Sequence, residues 1–322
     1  MLAAYATAPN PSDPLAALEV GDRPDPEAPA GWTTVTVRAA SINHHDVWTL
    51  RGVGLAEDKY PMILGCDASG VDGEGRDVVV HAVIPSPDWS GDETLDPRRT
   101  LLSEKHQGTL AEQVIVPTRN VLPKPAELSH EEAACLSTAW LTAYRMLFVK
   151  SGVRPGATVL VQGASGGVAT ALIALGAAAG YRMWVTGRTE AKRQAALELG
   201  ADAAFEPGAR LPKRVDAVME TVGAATWSHS VNSLRPGGTI VISGATSGDA
   251  PAKAELTKIF FKQLRVVGST MGTRSELERL ANFVVHQGIT PVIDSAFALA
   301  DARQGFEKMV AGDVFGKVVF TI

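Results

Sequence analysis

The sequence is poor in the residues that build disulfide frameworks, zinc lobes and membrane spans. Among 322 residues there are two cysteines, Cys66 and Cys135, which are too few for a disulfide framework or a four-cysteine zinc site. No apolar run reaches the roughly 18 residues of a membrane span, and no basic region followed by an apolar core opens the chain. The net charge of −5 gives no general attraction to nucleic acid or anionic membranes. These absences predict a cytoplasmic protein with neither a nucleic-acid nor a membrane partner.

What the chain does contain is enough for two hydrophobic cores. Hydrophobic residues make up 45% of the 322 positions, and this length is comfortable for two domains. Residues 1–125 are rich in proline, glycine and short alternating runs, whereas residues 126–264 alternate strand-like and helix-like segments, which predicts a parallel sheet. The tail, residues 265–322, returns to β character. The polar, proline-containing segment 85–106 is predicted to be a flexible loop without strands.

Periodicity and end signals predict the individual elements. The predicted strands cover residues 32–38, 77–83, 111–116, 159–161, 182–186, 217–220, 239–243, 265–268, 296–299 and 317–321. The predicted helices cover residues 129–149, 169–179 and 275–287. The first of these helices has Ser129 as its N-cap, and Glu132 completes a capping box.

The most informative segment is Thr158-Val-Leu-Val-Gln-Gly-Ala-Ser-Gly-Gly-Val-Ala169, which reads as a buried strand, a glycine turn and a helix start. Such a turn lets a pyrophosphate approach backbone amides at a helix N-terminus, where the helix dipole favours negative charge. In the dinucleotide fingerprint G-x-G-x-x-G/A, the first glycine is replaced by Ala164 and the last position is the permitted Ala169. The strand at 182–186 completes a βαβ unit and supports a dinucleotide site. Its expected contacts are Ser165, Gly166, Gly167 and Val168.

The end of that second strand indicates which dinucleotide is bound. An NAD-selective fold usually places Asp or Glu about 20 residues past the motif, but Gly187 stands there, followed by Arg188, Lys192 and Arg193. Cations at a helix N-terminus oppose the dipole, whereas a 2′-phosphate would be bound well by such donors. The segment therefore favours NADPH over NADH. The alternative interpretation is a solvated helix start.

An ordered series of short motifs resembles those of the medium-chain dehydrogenase/reductase superfamily, specifically its zinc-free, quinone oxidoreductase-like (zeta-crystallin-like) branch. These motifs are Ala40-Ser-Ile-Asn-His-His-Asp46, Leu64-Gly-Cys-Asp-Ala-Ser-Gly70, Gly108-Thr-Leu-Ala-Glu112, Leu141-Thr-Ala-Tyr144, Gln162-Gly-Ala-Ser-Gly-Gly-Val168, Leu234-Arg-Pro-Gly-Gly238 and Gly316-Lys-Val-Val-Phe320. The resemblance implies an α/β fold with a GroES-like β-rich catalytic domain from residues 1–125 and 265–322. Inserted in it is a Rossmann domain, a doubly wound parallel sheet that binds NADP(H), from residues 126–264. It also implies a homodimer, with the strand at 239–243 near a sheet edge that needs covering.

The resemblance also addresses metal binding. Zinc-dependent relatives hold the catalytic ion with Cys, His and Cys, a three-ligand pattern that leaves one position open. The matching positions here hold Asn43, Cys66 and Thr138, and the segment that would match the four-cysteine lobe contains no cysteine. We therefore expect no metal. A rearranged metal site that uses His44, His45, Cys66 and Asp67 stays open as an alternative.

Without a Lewis acid, the simplest chemistry is hydride delivery from NADPH to a quinone or an α,β-unsaturated carbonyl, whose conjugation delocalises the developing charge. Asn43 could donate a hydrogen bond to a carbonyl or to the nicotinamide ribose. His45 takes the place of a proton-relaying hydroxyl in zinc-dependent relatives, and imidazole suits proton relay near neutral pH. Loop packing is the alternative role for His45. The resemblance places Thr142 against the nicotinamide ring.

The remaining positions implied by the resemblance contact the cofactor. They are His44, Val222, Gly223, Gly244, Ala245, Ser269, Gly316 and Lys317, the last two near the cofactor phosphates, and they join Gly187, Arg188 and Lys192 at the end of the second strand. Two alternative functions remain open at this stage. One is an alcohol or aldehyde dehydrogenase with a rearranged metal site, and the other is a non-catalytic NADPH-binding or RNA-binding crystallin-like protein.

Overall fold

The computed structural model describes residues 1–322, which form two compact units. Unit 1 comprises Met1–Leu141 and Met271–Ile322, and unit 2 comprises Thr142–Thr270. These limits differ from the domain limits expected after residues 125 and 264. The helical segment that begins at His130 packs on strands of unit 1, and Arg265–Gly268, expected in the β-rich domain, pairs with the parallel sheet of unit 2.

The strands are numbered in chain order. They are β1 (Leu2–Ala6), β2 (Leu18–Asp22), β3 (Trp32–Ser41), β4 (Met62–Ile63), β5 (Asp67–Asp72), β6 (Asp77–Val80), β7 (Val83–Ile84), β8 (Thr100–Leu101), β9 (Gln113–Pro117), β10 (Val121–Pro123), β11 (Thr158–Val161), β12 (Arg182–Thr186), β13 (Ala203–Phe205), β14 (Val215–Glu220), β15 (Leu234–Ile242), β16 (Arg265–Gly268), β17 (Ile293–Ala298) and β18 (Lys317–Thr321).

The helices are numbered in the same way. The α-helices are α1 (His44–Leu50), α2 (His130–Ala133), α3 (Leu141–Tyr144), α4 (Gly167–Ala178), α5 (Glu190–Glu198), α6 (Trp227–Ser233), α7 (Leu256–Phe261), α8 (Arg274–Gln287) and α9 (Ala302–Ala311). Leu136–Trp140 and Arg145–Lys150 are π-helical. Short 3-10 turns cover Pro14–Ala17, Glu57–Lys59, Glu93–Leu95, Thr118–Asn120 and Leu299–Asp301.

Unit 1 is built around a seven-stranded sheet in the order β10-β6-β5-β3-β18-β17, with β9 also paired to β3. The strand β18 inserts between β3, to which it is antiparallel, and β17, to which it is parallel. Ser41 at the end of β3 is in register with Asp67 at the start of β5 and with Val319 of β18. This register brings the end of β3 and the starts of β5 and β18 together, because adjacent strands lie about 4.8 Å apart.

Unit 2 contains a six-stranded, fully parallel sheet in the order β13-β12-β11-β14-β15-β16. Its order reverses between β11 and β14, which is the switch point where open α/β sheets bind ligands at the carboxyl ends of their strands. The GroES-like and Rossmann-like α/β fold is therefore confirmed. The strand expected near a sheet edge at 239–243 lies next to that edge, because β15 pairs with β14 and β16, and β16 forms the edge itself.

Two other predictions need correction. The segment 85–106 is not strandless, since Thr100–Leu101 pairs with Val83–Ile84 and Glu93–Leu95 forms a helical turn. The strand predicted over 77–83 is interrupted, because His81 turns its backbone N–H to the carbonyl of Asn120. The capping box at Ser129 and Glu132 is confirmed, with both reciprocal hydrogen bonds present. None of the helices has the length and apolar character needed to cross a membrane.

Candidate active site

The polar residues of unit 1 gather where β3 gives way to α1. Asn43 is the N-cap of α1 in an extended conformation. The buried Asp46 carboxylate caps the loop by accepting the backbone N–H groups of Asn43 at 2.8 Å and Gly65 at 2.7 Å. Desolvation raises the pKa of Asp46, against the opposing effect of His45 and these two hydrogen bonds. The Asp46 side chain thus holds the loop that carries Asn43 through hydrogen bonds to its backbone.

A buried ion pair lies beside Asn43. The ammonium of Lys317, 2% exposed, is 3.1 Å from Oδ2 of Asp67, which is fully buried. It also donates to the Ile42 carbonyl at 2.8 Å and to Oδ1 of Asn43 at 2.6 Å. An ammonium has three hydrogens, so all its donors are used within unit 1. Removing one partner of such a pair costs about 3–5 kcal/mol, because the other charge stays buried and uncompensated.

Asp67 is the acceptor at the centre of this cluster. Its Oδ2 accepts hydrogen bonds from Lys317, from Nδ2 of Asn43 at 2.8 Å and from Oγ of Ser41 at 3.0 Å. Ser41 on β3 lies directly opposite Asp67 on β5 in the register of the sheet. The other oxygen, Oδ1 of Asp67, is buried and has no hydrogen-bond partner. The carboxylate therefore orients several neighbours with one oxygen.

The expected metal-ligand positions do not suit a zinc ion. The thiol of Cys66 is buried and faces the Leu102 carbonyl at 3.3 Å. Burial raises its pKa well above the usual value, and the nearby carboxylates raise it further. The carboxamide of Asn43 is held by Lys317 and Asp67, and an ammonium beside the site repels a cation. No group of three or more His, Cys, Asp or Glu side chains is arranged to hold a metal.

The two histidines of α1 differ in their surroundings. His45 has its Nδ1 3.9 Å from Oε1 of Glu104, while its Nε2 is buried without a hydrogen-bond partner. Desolvation by neighbouring protein atoms, together with the cations Lys317 and Arg51, lowers the pKa of His44, and part of this residue remains exposed to solvent. The Nε2 atom of His45 thus has no hydrogen-bond partner among the protein atoms.

In unit 2, the glycine turn between β11 and α4 has the form expected of a pyrophosphate cradle. Gly163 has a φ of +88°, which favours glycine. The N-cap of α4 is Gly166, which supplies no side-chain cap, and a Cβ placed on it would meet nothing within 4 Å. The first backbone N–H groups of α4 therefore remain available for an anion. These groups belong to the predicted stretch Ser165–Val168.

A buried carboxylate that the sequence reasoning did not select orders the neighbouring loop. Glu220, 1% exposed at the end of β14, accepts the backbone N–H groups of Val222 at 2.9 Å and Gly223 at 3.0 Å. Its second oxygen accepts from Ser230 at 2.6 Å, and Thr226 contacts both oxygens. The sequence signal that could have identified this residue is an acidic side chain at the end of an apolar strand, directly before the Thr-Val-Gly turn.

The loop after β15 packs against this ordered turn. Gly223 has a φ of +93°, and a Cβ on it would lie 2.5 Å from the Gly248 carbonyl and 2.8 Å from Cα of Ala245. A Cβ on Gly244 would lie 3.0 Å from the Thr221 carbonyl oxygen. The predicted cofactor positions Val222, Gly223, Gly244 and Ala245 are therefore brought together in unit 2.

The predicted 2′-phosphate contacts are not all equivalent. Arg193 donates to the Gly187 carbonyl at 2.8 Å and to Glu190 at 2.6 Å, so its charge is already paired. A side chain at Gly187 would collide with Cγ of Arg193 at 2.9 Å, so this glycine leaves space for the arginine stem. Arg188 is exposed at the N-terminal side of α5 and makes no internal ion pair or hydrogen bond. Arg188 is thus the better placed cation for an external phosphate.

The structure shows the local surroundings of three further predicted residues. Ser269 follows β16 with its backbone N–H bonded to the Ile242 carbonyl at 2.8 Å, and its hydroxyl is buried without a partner. Gly316 precedes β18 with a φ of +111°, and a Cβ there would lie 2.3 Å from the Val292 carbonyl. Thr142 is buried in unit 2. A role in cofactor contact remains a prediction for all three.

Comparison with known proteins gives the family. Residues 29–126 match the family model of the alcohol dehydrogenase GroES-like domain, and residues 167–286 match that of zinc-binding dehydrogenases. A solved structure described as an NAD-dependent alcohol dehydrogenase is 33% identical over the whole of both chains, with a TM-score of 0.92. The chain belongs to the medium-chain dehydrogenase/reductase superfamily. Its members are oxidoreductases, and the resemblance expected from the short motifs is confirmed at this level.

Two other members of the superfamily bear on substrate chemistry. The crotonyl-CoA reductase of Streptomyces avermitilis is 28% identical over 91% of this chain and 79% of its own length. A 2-octenoyl-CoA carboxylase reductase, solved with NADP and 2-octenoyl-CoA, is 25% identical, with a TM-score of 0.91 over 99% of this chain and 87% of that one. Similar medium-chain dehydrogenase/reductases thus include both alcohol dehydrogenases and reductases of unsaturated thioesters.

Proposed function

We propose that this protein is an NADPH-dependent reductase of α,β-unsaturated carbonyl compounds and works without zinc. The observation that carries the proposal is the cluster of Asn43, Lys317 and Asp67, which puts an amide at one of the positions matched to the zinc ligands and a buried ion pair beside it. Conjugated substrates suit such a site, because they spread the developing charge without a Lewis acid. The crotonyl-CoA and 2-octenoyl-CoA reductases among the similar proteins support this substrate class.

The residues divide the chemistry between charge stabilisation and proton transfer. NADPH, when bound, supplies a hydride to the β-carbon of the substrate. As the carbon–carbon double bond is reduced, its electron pair moves to the carbonyl oxygen, where a hydrogen bond from Asn43 is favourable. The α-carbon then takes a proton, and His45, with its unpartnered Nε2, is the proposed donor.

Several features of unit 2 fit NADPH. The uncapped N–H groups of Ser165–Val168 suit the pyrophosphate, and Arg188 with Lys192 suits the 2′-phosphate. The bound NADP of the 2-octenoyl-CoA reductase supports the assignment. Selectivity over NADH rests on the positive charge of Arg188 and Lys192. Arg193 is engaged by Gly187 and Glu190.

Quinones form the second proposed substrate class. Hydride addition to a quinone gives a hydroquinone anion, which is stable enough to leave without a proton in the hydride step. A site that stabilises negative charge by hydrogen bonds rather than by a metal serves both classes. The two classes differ in their need for His45.

The test is a substrate panel with matched metal analysis. NADPH oxidation is followed with crotonyl-CoA, a simple enone, a benzoquinone and an aldehyde, before and after treatment with a chelator. We expect reduction of the unsaturated carbonyl compounds and the quinone, no effect of the chelator, and no stoichiometric zinc. Reduction of the aldehyde alone, with one zinc per chain, would refute the proposal. Tight NADPH binding with no turnover of any substrate would support a non-catalytic binding protein instead.

An alcohol or aldehyde dehydrogenase is the second candidate, favoured by the 33% identity to the NAD-dependent alcohol dehydrogenase. The same substrate panel distinguishes this candidate from the proposed reductase, because an alcohol or aldehyde dehydrogenase would act on alcohols or aldehydes with NADH. The groups available as metal ligands argue against this candidate, because burial raises the pKa of the Cys66 thiol and so disfavours the thiolate that would bind zinc.

We also propose that the protein is a homodimer formed through the β16 edge of unit 2. Next to this edge, α7 exposes large apolar side chains, with Phe260 63% and Phe261 74% exposed. Val266 on β16 itself is 45% exposed. An unpaired apolar edge strand invites strand pairing, and pairing of β16 with its copy across a twofold axis would cover it.

A further inference from the structure

We infer that Lys317 and Asp67 are positioning residues, which orient and polarise the Asn43 amide so that it donates a hydrogen bond to the carbonyl oxygen of the substrate. The inference rests on the proposed reduction of unsaturated carbonyl compounds. It assigns Lys317 to the reacting end of the substrate, whereas the family resemblance implied a contact with the cofactor phosphates.

The orientation of the amide follows from the donors around it. An ammonium can only donate and a carboxylate can only accept. Oδ1 of Asn43 must therefore face Lys317, at 2.6 Å, and Nδ2 must face Asp67, at 2.8 Å. The reverse orientation would oppose donor to donor and acceptor to acceptor. One Nδ2 hydrogen is used by Asp67, and the second has no partner within the protein.

The same two charges strengthen that second hydrogen as a donor. The ammonium at the amide oxygen and the carboxylate at the amide nitrogen both favour the resonance form with negative oxygen and positive nitrogen. Hydrogen bonds in a chain polarise one another in this way, and more so where the dielectric constant is low. Lys317 and Asp67 are 2% and 0% exposed, so water does not screen them. Asn43 itself is only partly buried, which leaves its free N–H accessible.

The geometry also disfavours the phosphate role for Lys317. Its three hydrogens are already donated to Ile42, Asn43 and Asp67. A phosphate contact would remove one of these bonds and leave a buried acceptor unsatisfied. The ammonium therefore acts through Asn43.

The test compares Lys317→Met with the unmodified enzyme, using crotonyl-CoA or an enone as substrate and NADPH binding by fluorescence. We expect kcat to fall about 10–100-fold, less than the roughly 10²–10³-fold that follows complete loss of an oxyanion-stabilising donor, because the Asn43 amide stays and loses only its orientation. The NADPH dissociation constant should change by less than about twofold. Lys317→Arg, which keeps the cation, should restore part of the rate. A normal kcat with weakened NADPH binding would overturn the inference and return Lys317 to the phosphates.

A second variant guards against loss of folding. Lys317→Met leaves Asp67 buried without its cation, so circular dichroism checks the fold. The double change Lys317→Gln with Asp67→Asn keeps hydrogen-bonding groups and removes both charges, and the same fall in kcat is expected. Lys308→Met is the matched control, since it breaks the ion pair with Asp294 in the same unit, away from Asn43. It should leave kcat unchanged, and a loss equal to that of Lys317→Met would contradict the inference.

A spectroscopic readout separates this inference from the proposed function. The side-chain amide signals of Asn43, assigned by their absence in Asn43→Leu, should both move in Lys317→Met, because the amide loses its fixed orientation. If the unmodified protein reduces no unsaturated carbonyl compound, the proposed function fails, and these signals still decide the positioning. Unchanged signals would overturn it whatever the activity.

Discussion

The two units place their functional groups by different physical means. In unit 1, the side chains Asn43, Lys317 and Asp67 are fixed by buried charges. In unit 2, a glycine turn presents backbone N–H groups at the start of α4, and the single buried carboxylate of Glu220 holds a neighbouring loop by its backbone. The arrangement of side chains in unit 1 therefore depends on which charges are present. The arrangement of backbone N–H groups in unit 2 depends on the conformation of the chain.

This contrast predicts different responses to mutation. Removing a charge in unit 1 should alter the rate of the chemical step, because those charges hold Asn43, the proposed donor to the substrate carbonyl. Removing an exposed charge in unit 2 should alter cofactor affinity, because its backbone cradle remains in place. The predictions below test this division, beginning with the largest effect.

The replacement His45→Phe should lower the rate of enone reduction about 10²–10⁴-fold, the usual contribution of a general acid. Phenylalanine keeps the bulk and removes the proton from the position where Nε2 lacks a partner. Quinone reduction should fall less, since the hydride step there needs no proton. Rates of NADPH oxidation with both substrates provide the measurement. Equal losses, or none, would make His45 a packing residue.

The double change Arg188→Ala with Lys192→Ala should raise the NADPH dissociation constant about 10–1000-fold, because charge-assisted hydrogen bonds contribute roughly 1.5–3 kcal/mol each. Titration by fluorescence measures this, and affinity for NADH should hardly change. Arg235→Ala is the control in the same unit, since its guanidinium pairs with Asp216. Similar affinities for both cofactors in the unmodified protein would refute the NADPH assignment.

Acid should destabilise unit 1 through His81. Burial lowers the pKa of this histidine from 6.5 to about 4, against the opposing hydrogen bond to the Gly272 carbonyl. A lowered histidine pKa means that the folded state resists protonation, so stability is full above pH 6.5 and is lost as the pH falls toward 4. The full loss is about 3 kcal/mol. The raised pKa of Asp46 acts in the opposite direction, because its protonation in acid favours the folded state.

Denaturant unfolding at a series of pH values between 7 and 4 measures this effect. The variant His81→Gln should show a flatter dependence over that range. It keeps an N–H donor for the Gly272 carbonyl and cannot gain a charge. An unchanged slope in the variant would show that other groups control acid stability.

The double change Phe260→Ser with Phe261→Ser should raise the dimer dissociation constant about 10–100-fold, since large apolar side chains dominate interface energies. Sedimentation at a series of concentrations measures it. The rate per chain should stay the same in either state. A monomeric unmodified protein at micromolar concentration would contradict the proposed homodimer.

Local signals in the sequence predicted much of unit 2 and less of unit 1. The strand, turn and helix at Thr158–Ala178 follow from apolar runs and adjacent glycines, and the structure confirms them. The sequence did not show which strand forms the edge of this sheet, because β16, Arg265–Gly268, is short and has no feature that indicates its partner. The pairing of Lys317 with Asp67 spans 250 positions, and no local pattern links residues that far apart.

The position of β18 in the sheet also sets the order in which unit 1 can be completed during synthesis. This strand follows the whole of unit 2 along the chain, yet it inserts between β3 and β17. Until the ribosome has released Lys317, Asp67 has no cation to pair with, and its neighbour Asn43 has no fixed orientation. Such non-local pairing is slow to form. The nascent protein can therefore form the complete parallel sheet of unit 2 before the buried Lys317–Asp67 pair of unit 1 exists.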